Sequence, residues 1–449
     1  MDMPESSFII KGGRPLKGKV RISGAKNAAI KEIAASLLTK ERLILENVPR
    51  ISDVEVDLKI VEALGVAVEK SGGTVTLHSS PNLQTSIPKE LSKRSRASVI
   101  TLGPLLAREG RVVLTAPGGC DIGERPLDRH LAALESLGAE FKIEGSRIEG
   151  RTAGLRGGRI IFKKNTVMGT ENALLASVLA EGETEIGGGA QEPEVDDLIL
   201  LLNEMGARIE RDPQDRRTIR VQGVSSLSGA RHRVLPDRNE AVTFMVAAAV
   251  TRGDVTLEKV VPADLAVFLA KLKEAGVSFE ERGSELRVGA ELGKELAPVE
   301  FATAPHPGFM TDWQQPMTLL LTQARGESLV HETVYEDRFR YLEELRKFGV
   351  RVETLTPSGM GREFDPARYN FDWEGSGEPR AFARISGPTA LKGARAAITD
   401  LRAGATLVLA ALAAAGESEI AGVSHIRRGY ENFEEKLKGL GADIRQKEG

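Results

Sequence analysis

VEALGVAVE at residues 61–69, LESLGAEFKI at 134–143, LLNEMGARIE at 201–210, LKEAGVSFE at 272–280, LRKFGVRVE at 345–353 and LKGLGADIR at 437–445 are six versions of one phrase. In each, a helix-like run closes in Leu-x-x-x-Gly (Val61 in the first) and gives way to residues of alternating polarity. The pattern predicts a helix, a glycine in the left-handed C′ position, then a strand with period two. A second phrase recurs between the copies, an Ala/Leu/Val-rich helix, a short turn and another strand. It reads LLTKERLILENV at 37–48, LLAREGRVVLTAP at 105–117, VLAEGETEIGGG at 178–189, AVTRGDVTLEKV at 249–260, LTQARGESLVHETV at 321–334 and LAAAGESEIAGV at 412–423. Its glycines Gly110, Gly182, Gly253, Gly326 and Gly416 are spaced 72, 71, 73 and 90 apart. The chain is therefore a six-fold repeat of an α/β unit of about 70 residues.

The last interval carries roughly 20 extra residues, which places an insertion in the final unit. They map to 356–382, a stretch rich in Gly, Pro and charge with neither helical nor strand period. Its Tyr369, Phe371 and Trp373 either cover a site or pack on their own unit, and the second is the simpler expectation. Six units form either an open solenoid or two globular domains of three. A solenoid shows polar capping repeats at its ends, and here the end units are as apolar as the middle ones. The polar stretch SLSGARHRVLPD at 226–237 marks the midpoint. The expected domains are 24–232, and 233–449 together with 1–23, whose leading strand pairs with either half.

Composition limits the function. The 449 residues fit two or three domains of roughly 150. With 41% hydrophobic residues and only 4% aromatic, Ala, Leu, Val and Ile must build the core. A net charge of −3 argues against a general nucleic-acid or membrane-surface binder. One cysteine excludes an internal disulfide and multi-cysteine metal sites, and six scattered histidines form no HExxH-like pair, so no metal or cofactor is expected. The N-terminal residues lack an apolar signal core, and Ala403–Ala415 is too short to span a bilayer. The expectation is a cytoplasmic protein with no membrane association and no obligatory protein partner.

Unusual residues precede each Ala-rich helix: SGAKNAA at 23–29, KRSRAS at 93–98, KKNTVMGTEN at 163–172, LPDRNE at 235–240, GFMTDWQQ at 308–315 and ITDLRAG at 398–404. A helix N-terminus offers unpaired N–H groups and partial positive charge, which suit phosphate or carboxylate. Lys26, Arg96, Lys164, Arg238 and Arg402 add full charges there. A single such cation is ordinarily a surface ion-pair partner. Recurrence against the helix dipole instead suggests an anion bound at these ends. Cys120 sits in TAPGGCDIGERPLDRH at 115–130, on no apolar helix or strand face, with Arg125 favouring its thiolate and Asp121 opposing it.

Taken together, SGAKNAA, PGGCDIGERPLD, EPEVDDL, LPDRNE, TAPHPGFMTDWQ, ETVYEDRF, TDLRAG and HIRRGYE resemble the UDP-N-acetylglucosamine enolpyruvyl transferase (MurA) family of the EPSP synthase/MurA superfamily. The resemblance runs in order from about residue 8 to 445. It implies two inside-out α/β barrel domains with an active site in the cleft between them, and it implies transfer of the enolpyruvyl group of phosphoenolpyruvate to the 3-hydroxyl of UDP-N-acetylglucosamine, with release of phosphate. Matched position by position, Cys120 is the proton donor that also bonds covalently to phosphoenolpyruvate, and Asp312 is the base near the sugar hydroxyl. Lys26 and Arg402 complete the catalytic set. Lys26, Asn27, Arg125, Arg338, Arg402 and Arg428 contact phosphoenolpyruvate. The UDP-sugar falls to Arg96, Arg125, Pro126, Leu127, Asp128, Lys164, Thr166, Val167, Asp312 and Val334. Read without the family, Asp312 is the N-cap of a 313–321 helix; both roles are compatible.

Four departures stand out. Ile30-Lys31-Glu32 replaces the family's usual Leu-Pro-Ile, Met168 a glycine and Arg129 an apolar residue, and the 356–382 insertion is atypical. The sister EPSP synthase, a paralogue acting on another UDP-sugar and a non-catalytic UDP-sugar-binding regulator are the rival readings. The loop cysteine and RPLD segment oppose the first, and joint retention of Cys120, Asp312, Lys26 and the arginines opposes the last.

Overall fold

In the computed structural model of the chain, which describes residues 6–118, 127–289 and 295–447, the glycine in every copy of the first repeat phrase is left-handed. Its φ is 108° at Gly65, 91° at Gly138, 96° at Gly206, 87° at Gly276, 90° at Gly349 and 93° at Gly441. A side chain strains that conformation, so each glycine ends a helix and turns the chain into a strand. Strands follow at Val66–Ser71, Glu140–Glu144, Arg208–Arg211, Phe279–Arg282, Arg351–Leu355 and Asp443–Lys447.

The six sheets among the described residues share one plan. The first runs Ala230–Arg233, Arg42–Glu46, Thr74–Ser79, Val66–Ser71, the first pair parallel and the other two antiparallel. The third, fourth, fifth and sixth repeats keep this order: a parallel strand, then the repeat's first, third and second strands. In the three-stranded second sheet, a parallel bridge from Ser86 to Val113 stands where the parallel strand would. The fourth repeat takes its parallel strand from Lys17–Arg21, and the first takes its own from Ala230–Arg233. Ser7–Lys11 fills the third-strand place of the sixth sheet, between Glu417–Ala421 and Asp443–Lys447. Both strands ahead of the first repeat therefore pair with the C-terminal half.

The described residues divide into two compact units, one of 6–23 with 236–447 and one of 24–118 with 127–235. Each holds three of the sheets and its own hydrophobic core. In the first, the helices Arg238–Val250, Thr311–Leu321 and Leu401–Ala413 pack on one another. Every residue of Arg238–Val250 is buried. Beyond its polar first turn, Arg238–Glu240, the helix is apolar on nearly every side (Thr243 apart) and shows no 3.6-residue stripe, as a helix covered all round does, and its alanines let neighbouring helices approach closely. In the second unit, Lys26–Ala35 packs on the turn Arg96–Thr101, and Leu102–Glu109 packs on Val167–Ser177. Surrounding strands alternate: Val255 and Leu257 point inward while Asp254, Thr256 and Glu258 are partly exposed. Helices inside and sheets outside make each unit the inside-out α/β arrangement.

The 356–382 segment joins Arg351–Leu355 to Phe382–Gly387, the second and third strands of the fifth sheet. The extra residues therefore belong to the fifth repeat and not, as the glycine spacing suggested, to the last. Tyr369 and Phe371 bury with Phe382, and Trp373 packs against them. Tyr369 Oη lies 3.1 Å from His331 Nε2. These aromatics cover their own unit. No helix among the described residues is long and apolar enough to cross a membrane; the 403–415 stretch falls largely in Leu401–Ala413.

Candidate active site

Asp312 is the second residue of Thr311–Leu321, whose N-cap is Met310 with no side-chain cap bond. The N-cap alternative for Asp312 is thus corrected: its carboxylate turns to two arginines. Arg338 Nη2 donates to Asp312 Oδ1 at 2.8 Å and Arg402 Nε to Asp312 Oδ2 at 3.1 Å. The arginine side chains are 2% and 5% exposed, whereas that of Asp312 is 22% exposed. Burial lowers the Arg338 guanidinium, but Asp400, Asp312 and Glu332 outweigh it and hold it above its ordinary value. Arg402 is likewise raised against burial, by Tyr430, Asp312 and Asp237, and its guanidinium lies 5.3 Å over the Tyr430 ring. Both cations are therefore permanently charged in a dry setting. Arg338 Nε and Arg402 Nη1 are buried with no hydrogen-bond partner among the described residues. Such donors suit an incoming anion, because a planar guanidinium fork bonds two oxygens of a phosphate or carboxylate.

Around this trio, Asp400 caps Leu401–Ala413, accepting from Arg402 N at 2.8 Å and Ala403 N at 3.0 Å. Its carboxylate also stands 4.0 Å from Arg338 Nη1. Buried Glu332 accepts from the Thr303 and Thr311 hydroxyls, each at 2.9 Å, and from Val334 N at 2.8 Å. Burial pushes its carboxyl up, opposed by the Val334 N–H and Arg338. Arg238 lies 5.6 Å over the Trp313 ring. Val334 and Arg428 are half-buried, Arg428 at the end of Val423–Arg427.

The other unit carries the remaining cations. Lys26 opens Lys26–Ala35, whose N-cap Ala25 makes no side-chain bond, and Lys26 Nζ lies 2.6 Å from Asp53 Oδ2. Beside it, burial pushes the Asp57 carboxyl up to about 7 against the hydrogen bond from Ser95. Ser95 Oγ donates to Asp57 Oδ1 at 2.8 Å and accepts from Ala97 N at 3.2 Å, capping the turn that Arg96 opens. Thr166 caps Val167–Ser177 through Gly169 N at 3.2 Å. Arg129 reaches the Asn165 carbonyl at 3.4 Å, next to half-buried Lys164, and Met168 packs with Val167 and Leu127 onto the unit's core. Asn27 is half-buried and Asp128 exposed. Cys120, Arg125 and Pro126 lie outside the described residues.

Helix ends are not uniformly open to anions, as the repeat had suggested. Asp237, Asp400, Thr166 and Ser95 occupy N–H groups at four of the six, which leaves the starts at Lys26 and Thr311 without a side-chain cap. Sequence reasoning missed Asp53, Asp57, Glu332 and Asp400 as partners of the site cations. Asp400 carried a signal, since Asp directly before an apolar helical run is an N-cap pattern; the other three are tertiary contacts.

Residues 10–437 match the family model described as EPSP synthase (3-phosphoshikimate 1-carboxyvinyltransferase). A relative from Acidobacterium capsulatum named UDP-N-acetylglucosamine 1-carboxyvinyltransferase is 44% identical over 444 residues, covering 98% of this chain and 95% of its own. One of the same name from Magnetococcus marinus is 44% identical, covering 98% of this chain and 99% of its own. Among solved structures, the enolpyruvyl transferase NikO from Streptomyces tendae superposes with a TM-score of 0.86 at 26% identity, covering 99% of this chain and 100% of its own. EPSP synthase from Acinetobacter baumannii gives 0.72 at 19% identity, covering 98% and 100%, a likeness of fold alone.

Proposed function

Because the chain belongs to the EPSP synthase (3-phosphoshikimate 1-carboxyvinyltransferase) family, and its 44%-identical relatives are full-length UDP-N-acetylglucosamine 1-carboxyvinyltransferases, we propose that it transfers the enolpyruvyl group of phosphoenolpyruvate to the 3-hydroxyl of UDP-N-acetylglucosamine and releases phosphate. That near-complete match to enzymes of this name carries the choice of acceptor over shikimate 3-phosphate. The reaction supplies a peptidoglycan precursor, and the compartment is the cytoplasm.

The chemistry is addition followed by elimination. A proton added to the methylene carbon of phosphoenolpyruvate leaves an oxocarbenium-like centre, to which the sugar oxygen bonds as its own proton departs. Loss of a methyl proton and cleavage of the carbon–oxygen bond to phosphate then restore the double bond, so protons balance over the cycle. Asp312 accepts the proton of the sugar hydroxyl; its carboxylate is held in one orientation by Arg338 and Arg402. The unpartnered guanidinium atoms of those arginines receive oxygens of phosphoenolpyruvate, joined by Lys26, Asn27, Arg125 and Arg428. Cys120 supplies the proton to carbon. Arg96, the Arg125–Asp128 stretch, Lys164, Thr166, Val167 and Val334 receive the UDP-sugar. Phosphate release from phosphoenolpyruvate, measured with UDP-N-acetylglucosamine, other UDP-sugars and shikimate 3-phosphate in turn, tests the assignment. Turnover only with another acceptor would replace the substrate, and binding of UDP-N-acetylglucosamine without phosphate release would make the protein a regulator.

A further inference from the structure

Lys31 and Glu32, the charged residues that stand where the resemblance leads one to expect Pro-Ile, do not neutralise each other. Lys31 Nζ turns to Glu171 Oε1 at 3.3 Å and to the Asn27 carbonyl. Glu32 is 0% exposed, and neither of its carboxylate oxygens has a hydrogen-bond partner among the described residues. A buried carboxylate left this way is strongly disfavoured. What it faces is a histidine and a second carboxylate.

His232 Nε2 lies 3.9 Å from Glu32 Oε1 and 3.2 Å from Asp197 Oδ1. The three ligand atoms all fall within 4.8 Å of one another, and all three residues are buried. Bonds of about 2.0–2.1 Å to a tetrahedral zinc place ligand atoms roughly 3.3 Å apart, so modest side-chain movement closes this set on one ion. The outer contacts are already those of a metal site. His232 Nδ1 is 2.9 Å from Glu204 Oε2; a proton on Nδ1 directed at that carboxylate makes Nε2, the nitrogen facing Asp197 and Glu32, the one an ion would take. Leu235 N donates to Asp197 Oδ2 at 3.0 Å and so aims Oδ1 at the histidine.

We propose that Glu32 Oε1, Asp197 Oδ1 and His232 Nε2 form a structural site for one divalent transition-metal ion of the zinc type. The ion cancels two buried carboxylate charges that a neutral imidazole cannot. A lone protonated His232 satisfies Asp197 and Glu204 but brings no donor within hydrogen-bond reach of Glu32. Imidazole together with carboxylates favours zinc, cobalt or manganese over magnesium. The site links three elements of its unit: the helix that begins with Lys26 and Asn27, the helix Pro193–Glu204 and the edge strand Ala230–Arg233. It would pin the strand that the chain follows immediately before leaving the unit.

The full-length protein, stripped with a chelator and desalted, decides the matter when titrated with Zn²⁺, and with Co²⁺ for its visible spectrum. We expect one tightly held equivalent by elemental analysis, a cobalt spectrum of low coordination number, and a melting temperature raised by ~3 °C or more, since the ion binds only the folded cluster. Magnesium should do none of this. Glu32→Ile, which restores an apolar residue to a buried helix position, should abolish both occupancy and the shift. His232→Gln serves as the second variant, and Cys120→Ser should keep the equivalent and so exclude the thiol. No retained zinc or cobalt in the parent protein, or an equivalent retained in Glu32→Ile or His232→Gln, overturns the site.

Discussion

Replacing Asp312 by Asn separates the chemical role of this side chain from its structural one. The carboxylate sits 2.8 Å from Arg338 Nη2 and 3.1 Å from Arg402 Nε. Removing one partner of a buried ion pair typically costs about 3–5 kcal/mol. Three features reduce that figure. Asp312 is 22% exposed, the amide oxygen still accepts one of the two bonds, and Asp400 remains 4.0 Å from Arg338 Nη1. We therefore expect roughly 1–3 kcal/mol of destabilisation and a melting temperature ~2–9 °C lower for that unit. Turnover should fall by at least ~100-fold, because an amide cannot accept the hydroxyl proton. Calorimetry and phosphate release at saturating substrates measure the two effects separately. Asp312→Glu retains the charge, so it should regain most of the stability while a displaced carboxylate keeps turnover low. A cooperatively melting Asn variant whose turnover stays within tenfold of the parent would refute the base role. A variant that fails to fold would show that the carboxylate's main task is to hold the arginines.

Further outcomes are expected elsewhere. A small phosphonate epoxide such as fosfomycin should add one mass equivalent to the chain at Cys120, the only cysteine, faster with UDP-N-acetylglucosamine present; an unchanged mass would remove Cys120 from the mechanism. Cys120→Asp should resist the epoxide yet keep some turnover, and loss of all turnover would deny that a carboxylic acid can replace the thiol as proton donor. His130 is pushed down to about 4 by burial and by Arg96 and Arg129, so it is neutral when folded and titrates near 6.5 when unfolded. Between about pH 4 and 6.5 the unfolded chain binds more protons and stability falls with acidification. His130→Gln, which keeps an acceptor for Asn172 Nδ2, should flatten that part of a urea-stability profile; an unaltered slope would assign the titration elsewhere. A Cβ at Gly118 would stand 1.6 Å from the Lys93 carbonyl oxygen, so Gly118→Ala must displace the chain that leads to Cys120 and should sharply reduce turnover. Parent-like kinetics in that variant would show that the segment tolerates the shift.

Periodicity made the fold legible, because a glycine that ends a helix and a strand of alternating polarity are local signals. The six left-handed glycines and the six sheets appear where the repeat predicted them. What periodicity could not show was which strand fills the parallel place, since Ala230–Arg233 pairs with Arg42–Glu46 across most of its unit's sequence. The helix starts, too, were located from sequence, but whether they are open depends on a cap. Asp237 and Asp400 close theirs, while Asp312, one turn of phrase away in GFMTDWQQ, reaches past its own helix to Arg338 and Arg402. The extra residues near 356–382 belong to the fifth repeat and not the last, because spacing between glycines cannot tell which side of a strand an insertion lies on.

The place of Ser7–Lys11 in the sixth sheet governs the order in which a ribosome can deliver the two units. Residues 24–235 contain everything their three sheets require, so that unit can fold once they have emerged. Ser7–Lys11 and Lys17–Arg21, by contrast, have no partners until synthesis reaches Asp254–Glu258 for Lys17–Arg21 and Glu417–Ala421 for Ser7–Lys11. At about 5–20 residues per second, roughly 10–40 s separate completion of the one unit from completion of the other. Throughout that interval Phe8, Ile9 and Ile10, all buried in the finished sheet, remain an unpaired apolar strand on the nascent chain.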